Sequence, residues 1–286
     1  MQNENKISNN KRGYLKEDFQ LFHLVDQKYM QFEFHYHDFN KIIILISGNV
    51  TYLIEGTSYK LEPWDIILVN SNEIHKVMVN SDEIYERIII WVNSEFLHKH
   101  NVNNSDLLTC FQLAEAQQNN LLRSNLDVQS TIKHILHGIE EAYKSKEFGS
   151  DILKNSLFLQ LIVYINRLFL SKDTNKHLED IEYDENISNI LEYINKNLKE
   201  DLAIDSIAVI FYMSKYYLMH KFKKQTGYTI HNYITQKRLI MANSLVKEGK
   251  TITEVCMECG FEDYSNFIRA FKKMFGMAPK KYHKEE

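Results

Sequence analysis

Residues 222–227, Phe-Lys-Lys-Gln-Thr-Gly, return as residues 271–276, Phe-Lys-Lys-Met-Phe-Gly. Each copy closes a segment with the same upstream pattern, so the C-terminal part reads as one small helical motif used in tandem. In the first unit Leu202, Ile207 and Ala208 keep helical spacing, Tyr212-Met213-Ser214 interrupts it, and Leu218 and Phe222 resume it four residues apart. Ser214 suits the N-cap of the second helix, because its hydroxyl can accept one of the backbone N–H groups of the first turn. In the second unit Ile252, Val255 and Cys256 form the first apolar face. Gly260-Phe261-Glu262-Asp263 makes the turn, and Phe267 and Phe271 anchor the next helix. Gly260 supplies the positive φ of a sharp helix end, and Asp263 is the next candidate cap. The interval from Ala208 to Phe222 is fourteen residues and that from Cys256 to Phe271 fifteen, a difference of one turn residue. Two such units joined by one long helix, Ile230 to Val246, point to double-stranded DNA.

The run Ile252-x-x-Val-Cys-x-x-x-Gly-Phe-x-Asp-Tyr-Ser-x-Phe-x-Arg-x-Phe-Lys-Lys-x-Phe-Gly-x-x-Pro279-x-x-Tyr282 resembles the signature of the AraC/XylS transcriptional regulators nearly position by position. The departures are Cys256 where that family usually has Ala, Ala278 where Ser is common, and His283 where Arg often follows the Tyr. None removes a packing anchor. The resemblance implies a cupin-type sensor domain ahead of a double helix-turn-helix domain.

Charge divides along the chain in the same way. The whole sequence of 286 residues carries a net charge of −4, but residues 187–286 hold 16 Lys+Arg against 11 Asp+Glu, or +5, which leaves 18 against 27, or −9, for residues 1–186. The basic excess sits with the repeated motif, as a DNA-binding domain requires. With 44% hydrophobic residues the chain can build a sizeable core for two or three domains. It has no apolar run of the length, about 18 residues, that crosses a membrane, and Met1 to Lys11 is polar rather than signal-like. A cytoplasmic protein with no membrane partner is expected. Its three cysteines, Cys110, Cys256 and Cys259, form no disulfide framework. Cys256 and Cys259 are spaced Cys-x-x-Cys but lack two further zinc ligands nearby and a βαβ setting, so packing is their expected role.

Ahead of the helices the pattern changes to period two. Phe32, Phe34 and Tyr36 alternate with Glu33, His35 and His37, and further strands are predicted over Lys41–Ile46, Val50–Ile54, Tyr59–Leu61, Ile66–Asn70, Lys76–Val79 and Ile84–Val92. Turns at Ser47-Gly48-Asn49, Glu55-Gly56-Thr57, Ser71-Asn72 and Asn80-Ser81-Asp82 separate them. Short strands so punctuated predict a β-barrel or jelly roll, and a closed barrel can hold one small ligand. The stretch looks like the cupin-type sensor of the family, with His35-x-His37, Glu62-Pro63-Trp64-Asp65 and His75 at the matching places.

Three histidines of this kind invite a metal, since two at i and i+2 share a strand face and a third from a later strand can join them. Enzymatic cupins add a Glu soon after the His-x-His; here Asp38-Phe39-Asn40-Lys41-Ile42 follows, and Lys41 would repel a cation. No metal and no other cofactor are therefore expected. His35, His37, Tyr52, Trp64 and His75 are instead the expected contacts of a small-molecule effector, with a carbohydrate as the first guess from the habits of the family.

The expected architecture is α+β and multidomain. It comprises an N-terminal arm (1–20), a cupin-like barrel (21–110), a helical region (111–170), a linker (171–186) and an all-α DNA-binding domain (187–286). In the helical region Val128, Ile132, Ile135, Leu136 and Ile139 make one apolar stripe, and Leu153, Leu157, Leu161, Ile165 and Leu168 another. Family resemblance assigns such helices to a homodimer contact; covering the barrel is the alternative.

If Leu218 and Phe222 face the core, Tyr216, Met219 and His220 face outward, and in the second unit Ser265, Asn266 and Arg269 do. Carried over from the family motif, these are the base-contacting positions. Ser214, Lys215, Lys221, Lys223, Lys224, Lys272, Lys273 and Lys281 are the expected phosphate contacts. Effector binding would then alter DNA occupancy and the recruitment of RNA polymerase, most often as activation in this family. The competing readings are a metal-dependent cupin enzyme with an appended helical domain, or a protein-interaction module. No catalytic triad, acid/base pair or phosphate-cradling glycine loop favours an enzyme, and the clustered lysines oppose the interaction module.

Overall fold

In the computed structural model, which describes residues 13, 15–26, 32–79, 83–171, 181–182 and 184–282, the first strand is one that the sequence pattern does not mark. It is β1 (Phe19–Asp26), antiparallel to the last long strand of the domain. The predicted strands then follow as β2 (Asn40–Ser47), β3 (Val50–Ile54), β4 (Thr57–Lys60), β5 (Ile66–Val69), β6 (His75–Val79) and β7 (Tyr85–Val92). Helices α1 (Ser94–Lys99) and α2 (Thr109–Gln117), the two-residue β8 (Leu121–Leu122), and the long helices α3 (Leu126–Lys144) and α4 (Ser150–Leu170) complete the N-terminal part. Of the residues 32–37 read as a strand, only a bridge between His35 and His75 forms an assigned pair with a described partner.

The strands form two ladders, β1-β7-β2-β5-β8 and β6-β3-β4-β9, the last being Ile181–Glu182 from the expected linker. Ile43, Leu45, Val50, Tyr52, Tyr59, Ile67, Val77 and Tyr85 fill the space between them. The alternate residues of the first sheet, Ile42, Ile44, Ile66, Leu68, Ile88 and Ile90, pack under the helices. A strand covered on both faces needs a continuous apolar run, which is why β2 reads Ile-Ile-Ile-Leu-Ile rather than alternating. The expected closed barrel is not formed among the described residues. The edge strands β8 and β9 are two residues long, too short to carry hydrogen bonds from one sheet to the other, so the architecture is a jelly-roll-like sandwich.

Both predicted helical stripes cover this sandwich. Ile132, Ile135, Leu136 and Ile139 of α3 and Leu161 and Ile165 of α4 are buried in one core with the sheet. Leu153 is 54% exposed, and Phe158, Ile162 and Phe169 are buried instead. Helix α4 is apolar over most of its surface, and spacing alone does not pick the inward face of such a helix.

The C-terminal part is α5 (Glu185–Lys196), α6 (Ile204–Ile210), α7 (Lys215–Thr226), α8 (Ile230–Lys247), α9 (Ile252–Glu258), α10 (Tyr264–Phe275) and α11 (Pro279–Tyr282). Helices α6 and α7 form the first unit, α9 and α10 the second, and α8 joins them. Each unit has its own core. Ile207, Leu218, Phe222 and Tyr233 belong to the first; Val255, Cys256, Cys259, Phe267 and Phe271 belong to the second, with Leu239 and Ile240 from α8. All three cysteines are buried free thiols, and burial pushes the thiols of Cys110 and Cys259 up to about 12.

Candidate functional site

The two outward helices are built alike. Ser214 accepts from the Tyr217 N–H at 3.3 Å and Asp263 from the Asn266 N–H at 2.5 Å, so both predicted caps start their helices. Gly227 and Gly276 end them with positive φ. Leu218 and Phe222 on α7, and Phe267 and Phe271 on α10, are fully buried. That rotation exposes Tyr216, Met219 and His220 on α7, with Tyr216 81% exposed and its ring stacked on His220. On α10 it exposes Ser265, Asn266 and Arg269, and the Arg269 guanidinium donates to the Asn266 side-chain oxygen.

Lys215, Lys223, Lys224, Lys272, Lys273 and Lys281 are exposed around these faces. Lys215 is paired with Asp205 at 2.8 Å and Lys221 with Asp184 at 2.7 Å, so two of the expected phosphate contacts carry a competing carboxylate. The Asp184 carboxylate raises Lys221 through its hydrogen bond. Tyr212, which the sequence marks only as part of the break between helices, is 98% exposed at φ 53°. It occupies the place in the first turn that Gly260, at φ 71°, occupies in the second. Counting four residues from Ala208 and from Cys256 would have aligned them.

The sensor residues are placed less uniformly. His35, His37 and His75 converge, with His37 Nε2 3.0 Å from His75 Nε2 and Lys41 Nζ 3.4 Å from the latter. Burial, with the charge of Lys41 beside it, holds His75 well below the ordinary histidine value. Tyr52 bonds its hydroxyl to that of Tyr85 at 2.7 Å between the sheets. Trp64 lies on the turn after β4, with Lys133 of α3 4.1 Å above its ring. The neighbouring Asp65 is buried and fixes the turn through Arg123, 2.6–2.8 Å away.

What sequence reasoning missed is the seam between the two halves. Glu55, in the turn between β3 and β4, accepts from Lys237 Nζ at 2.6 Å, from the Tyr233 hydroxyl and from the Ile74 N–H at 2.7 Å. Gln225 at the end of α7 donates to the Gly56 carbonyl at 3.1 Å. Phe34 packs its ring on Tyr228 and against Gly227, where an added Cβ would stand 1.9 Å from the ring. Gly227→Ala is therefore expected to cost about 1–2 kcal/mol for its left-handed backbone, and to push Phe34 out of the seam besides. Thermal unfolding and hydrogen exchange of residues 222–230 would show it.

Beside this seam lies a cleft of about 490 Å³, walled by Glu55, Thr57 and Glu73 of the sensor, Gln118 and Asn120 after α2, and Ser188, Asn195 and Lys237 of the C-terminal part. Burial pushes the Glu73 carboxyl at its floor up to about 7, and that carboxyl accepts from Asn70 and Asn120.

Two family models match the chain: an AraC-like ligand binding domain over residues 21–162 and a helix-turn-helix domain over residues 207–285. Among curated proteins it is 22% identical over 247 residues to the HTH-type transcriptional activator RhaS of Klebsiella pneumoniae (strain 342), covering 86% of this chain and 85% of the relative. It is 23% identical over 247 residues to the protein of the same name from Citrobacter koseri, with the same coverage. The crystal structure of an apo ToxT variant from Vibrio cholerae covers 94% of this chain and 97% of its own at 17% identity and a TM-score of 0.41.

Proposed function

The chain belongs to the AraC/XylS family of transcriptional regulators, and on that premise we propose that it activates transcription by placing α7 and α10 in successive major-groove faces of one asymmetric site. The observation that carries this is the shared rotation of α7 and α10. Two capped helices bury a Leu or Phe pair on one side and present Tyr216, Met219, His220 and Ser265, Asn266, Arg269 on the other. Arg269 reads guanine through its fork of donors, oriented by Asn266 until the base takes over. Tyr216 and Met219 offer apolar contact to thymine methyl groups, so the first unit discriminates less sharply than the second. Ser214 and the lysines hold phosphates, and Lys215 and Lys221 exchange Asp205 and Asp184 for them on binding.

Arg269→Ala is expected to cost about 1–3 kcal/mol on the preferred site and to relax preference at one base pair. Lys272→Ala should weaken all sequences about equally and reduce the slope of log K against log salt by about 1. Fluorescence anisotropy over a salt series, with preferred and scrambled duplexes, separates the two. A variant pair with identical behaviour would contradict the assignment of base and phosphate roles.

The N-terminal part is the ligand-binding half. Its cleft is lined by carboxylate, amide and hydroxyl groups, which suits a hydroxyl-rich ligand such as a carbohydrate. Because both domains wall it, an occupant would have different affinity for different domain arrangements, which coupling requires. Of the residues expected to contact an effector, His35, His37 and His75 lie together, Tyr52 bonds Tyr85 between the sheets, and Trp64 lies beneath Lys133. The regulator acts in the cytoplasm, with RNA polymerase as its downstream partner, rather than as an enzyme. No helix among the described residues is long and apolar enough to cross a membrane. The exposed Phe148, Ile152 and Leu153 at the start of α4 support a homodimer contact, which sedimentation of the full chain tests.

A further inference from the structure

We propose that His35, His37 and His75 bind one divalent transition-metal ion, and that its presence is passed to both helix-turn-helix units through the chain segments that carry the histidines. The three rings each offer a nitrogen, these atoms lie within 4.8 Å of one another, and all three residues are buried. Tetrahedral ligation at about 2.0–2.1 Å from the metal sets ligand nitrogens about 3.4 Å apart, so His37 and His75, at 3.0 Å, open slightly while the wider spacings, up to 4.8 Å, close.

The orientation of two rings is fixed in the way ligation requires. His35 Nδ1 lies 2.8 Å from the Glu33 carbonyl and His75 Nδ1 3.0 Å from the Glu73 carbonyl. A carbonyl only accepts, so each neutral ring carries its proton on Nδ1 and leaves the lone pair on Nε2, which on His75 faces His37. A single sequence shows the histidines but not this second layer of backbone acceptors.

Lys41 is the objection that the sequence raises, and the structure gives it a part. Its ammonium stands 3.4 Å from His75 Nε2, on a lone pair that the metal needs. Metal and ammonium therefore compete, which makes binding reversible and weaker than in a structural site, as a sensor demands.

Transmission follows from side-chain alternation along an extended segment. His35 and His75 pair their backbones at 2.9–3.0 Å, and their neighbours point the other way, into the DNA-binding domain. Phe34 packs on Tyr228 and Ile74 belongs to the core of the first unit, whereas Tyr36 is buried in the core of the second with Leu239 and Phe271. The segment 34–37 thus touches both units through Phe34 and Tyr36 while holding two of the three ligands, His35 and His37. Reseating the imidazoles around the ion moves the piece of sensor that sets one unit against the other.

The test uses the full chain, freed of metal by chelator and titrated with Co²⁺, whose visible absorption reports nitrogen ligation, and then with Zn²⁺ in competition. One equivalent is expected, with loss of the band in His37→Asn and in His75→Asn, each checked for an unchanged circular dichroism spectrum. Lys41→Met should bind more tightly by at least about tenfold. It also keeps the proposal testable if a histidine variant fails to fold. Zn²⁺ should change the affinity of the wild-type chain for duplex DNA and leave that of His37→Asn unmoved. No stoichiometric binding by either the wild type or Lys41→Met would overturn the site. Binding that survives both histidine changes would place the ion elsewhere and overturn it equally, and binding without any effect on DNA affinity would overturn the transmission. The cobalt spectrum is read without DNA, so its outcome is independent of the regulator assignment.

Discussion

Phe271→Ala is expected to lower the stability of the second helix-turn-helix unit by about 3–5 kcal/mol and to abolish its share of DNA binding. The ring is fully buried and meets Phe267 edge-on at 5.8 Å and Phe275 at 4.4 Å. Phe271 packs in one core with Leu239, Val255, Phe267 and Met274, so truncation removes the centre of that cluster. Phe222→Ala should do the same to the first unit, where the ring stands edge-on to Tyr233 at 5.7 Å. The two losses are expected to be separable, since each unit has its own core around α8. Hydrogen exchange resolved by segment checks this. Phe271→Ala should release α9 and α10 and leave α6 and α7 protected, and footprinting should then show half a site.

Glu55→Ala is expected to open the seam between the domains at a cost of about 3 kcal/mol. The carboxylate answers three donors, and the side chain of Lys237 is only 12% exposed. Without Glu55 the ammonium keeps the Asn72 carbonyl at 3.2 Å but loses its counter-charge, and breaking a buried pair on one side costs more than the pair itself contributes. The expected result in calorimetry is a single unfolding transition split into two, with the sensor and the DNA-binding domain melting apart. Lys237→Met in the same background should restore part of the loss by removing the stranded charge. An unshifted, single transition in Glu55→Ala would mean that Phe34, Ile74 and Gln225 hold the seam without it.

The local features of this protein are legible in its sequence, and the long-range ones are not. Ser214 and Asp263 are readable as caps because a cap needs only the N–H groups of the next turn. The inward faces of α7 and α10 follow from four-residue spacing of Leu218 with Phe222 and of Phe267 with Phe271. Six of the strands follow from turns at Gly48, Gly56 and Asn72, each of which adopts positive φ. β1 is hidden because Phe-Gln-Leu-Phe-His-Leu-Val-Asp does not alternate, and its register with β7, from Phe19 with Val92 to Asp26 with Tyr85, is set by a partner far along the chain. Glu55 reads as an ordinary turn residue, since nothing within ten positions tells that Tyr233 and Lys237 will meet it. The histidine cluster lies between these cases. Its members are visible by spacing, but the backbone carbonyls that orient His35 and His75 and the placement of Phe34 and Tyr36 against two different units appear only in three dimensions.

Reading of one asymmetric duplex site by α7 and α10 together is the step on which the proposed function rests. Selection of bound sequences from a random duplex pool by the full chain, with Arg269→Ala in parallel, tests it most directly. A bipartite motif with elements about one helical turn, roughly 34 Å, apart is expected, with loss of preference at a single position of the second element in the variant. Recovery of no motif by the wild-type chain, or of a motif that Arg269→Ala leaves intact at every position, would contradict it.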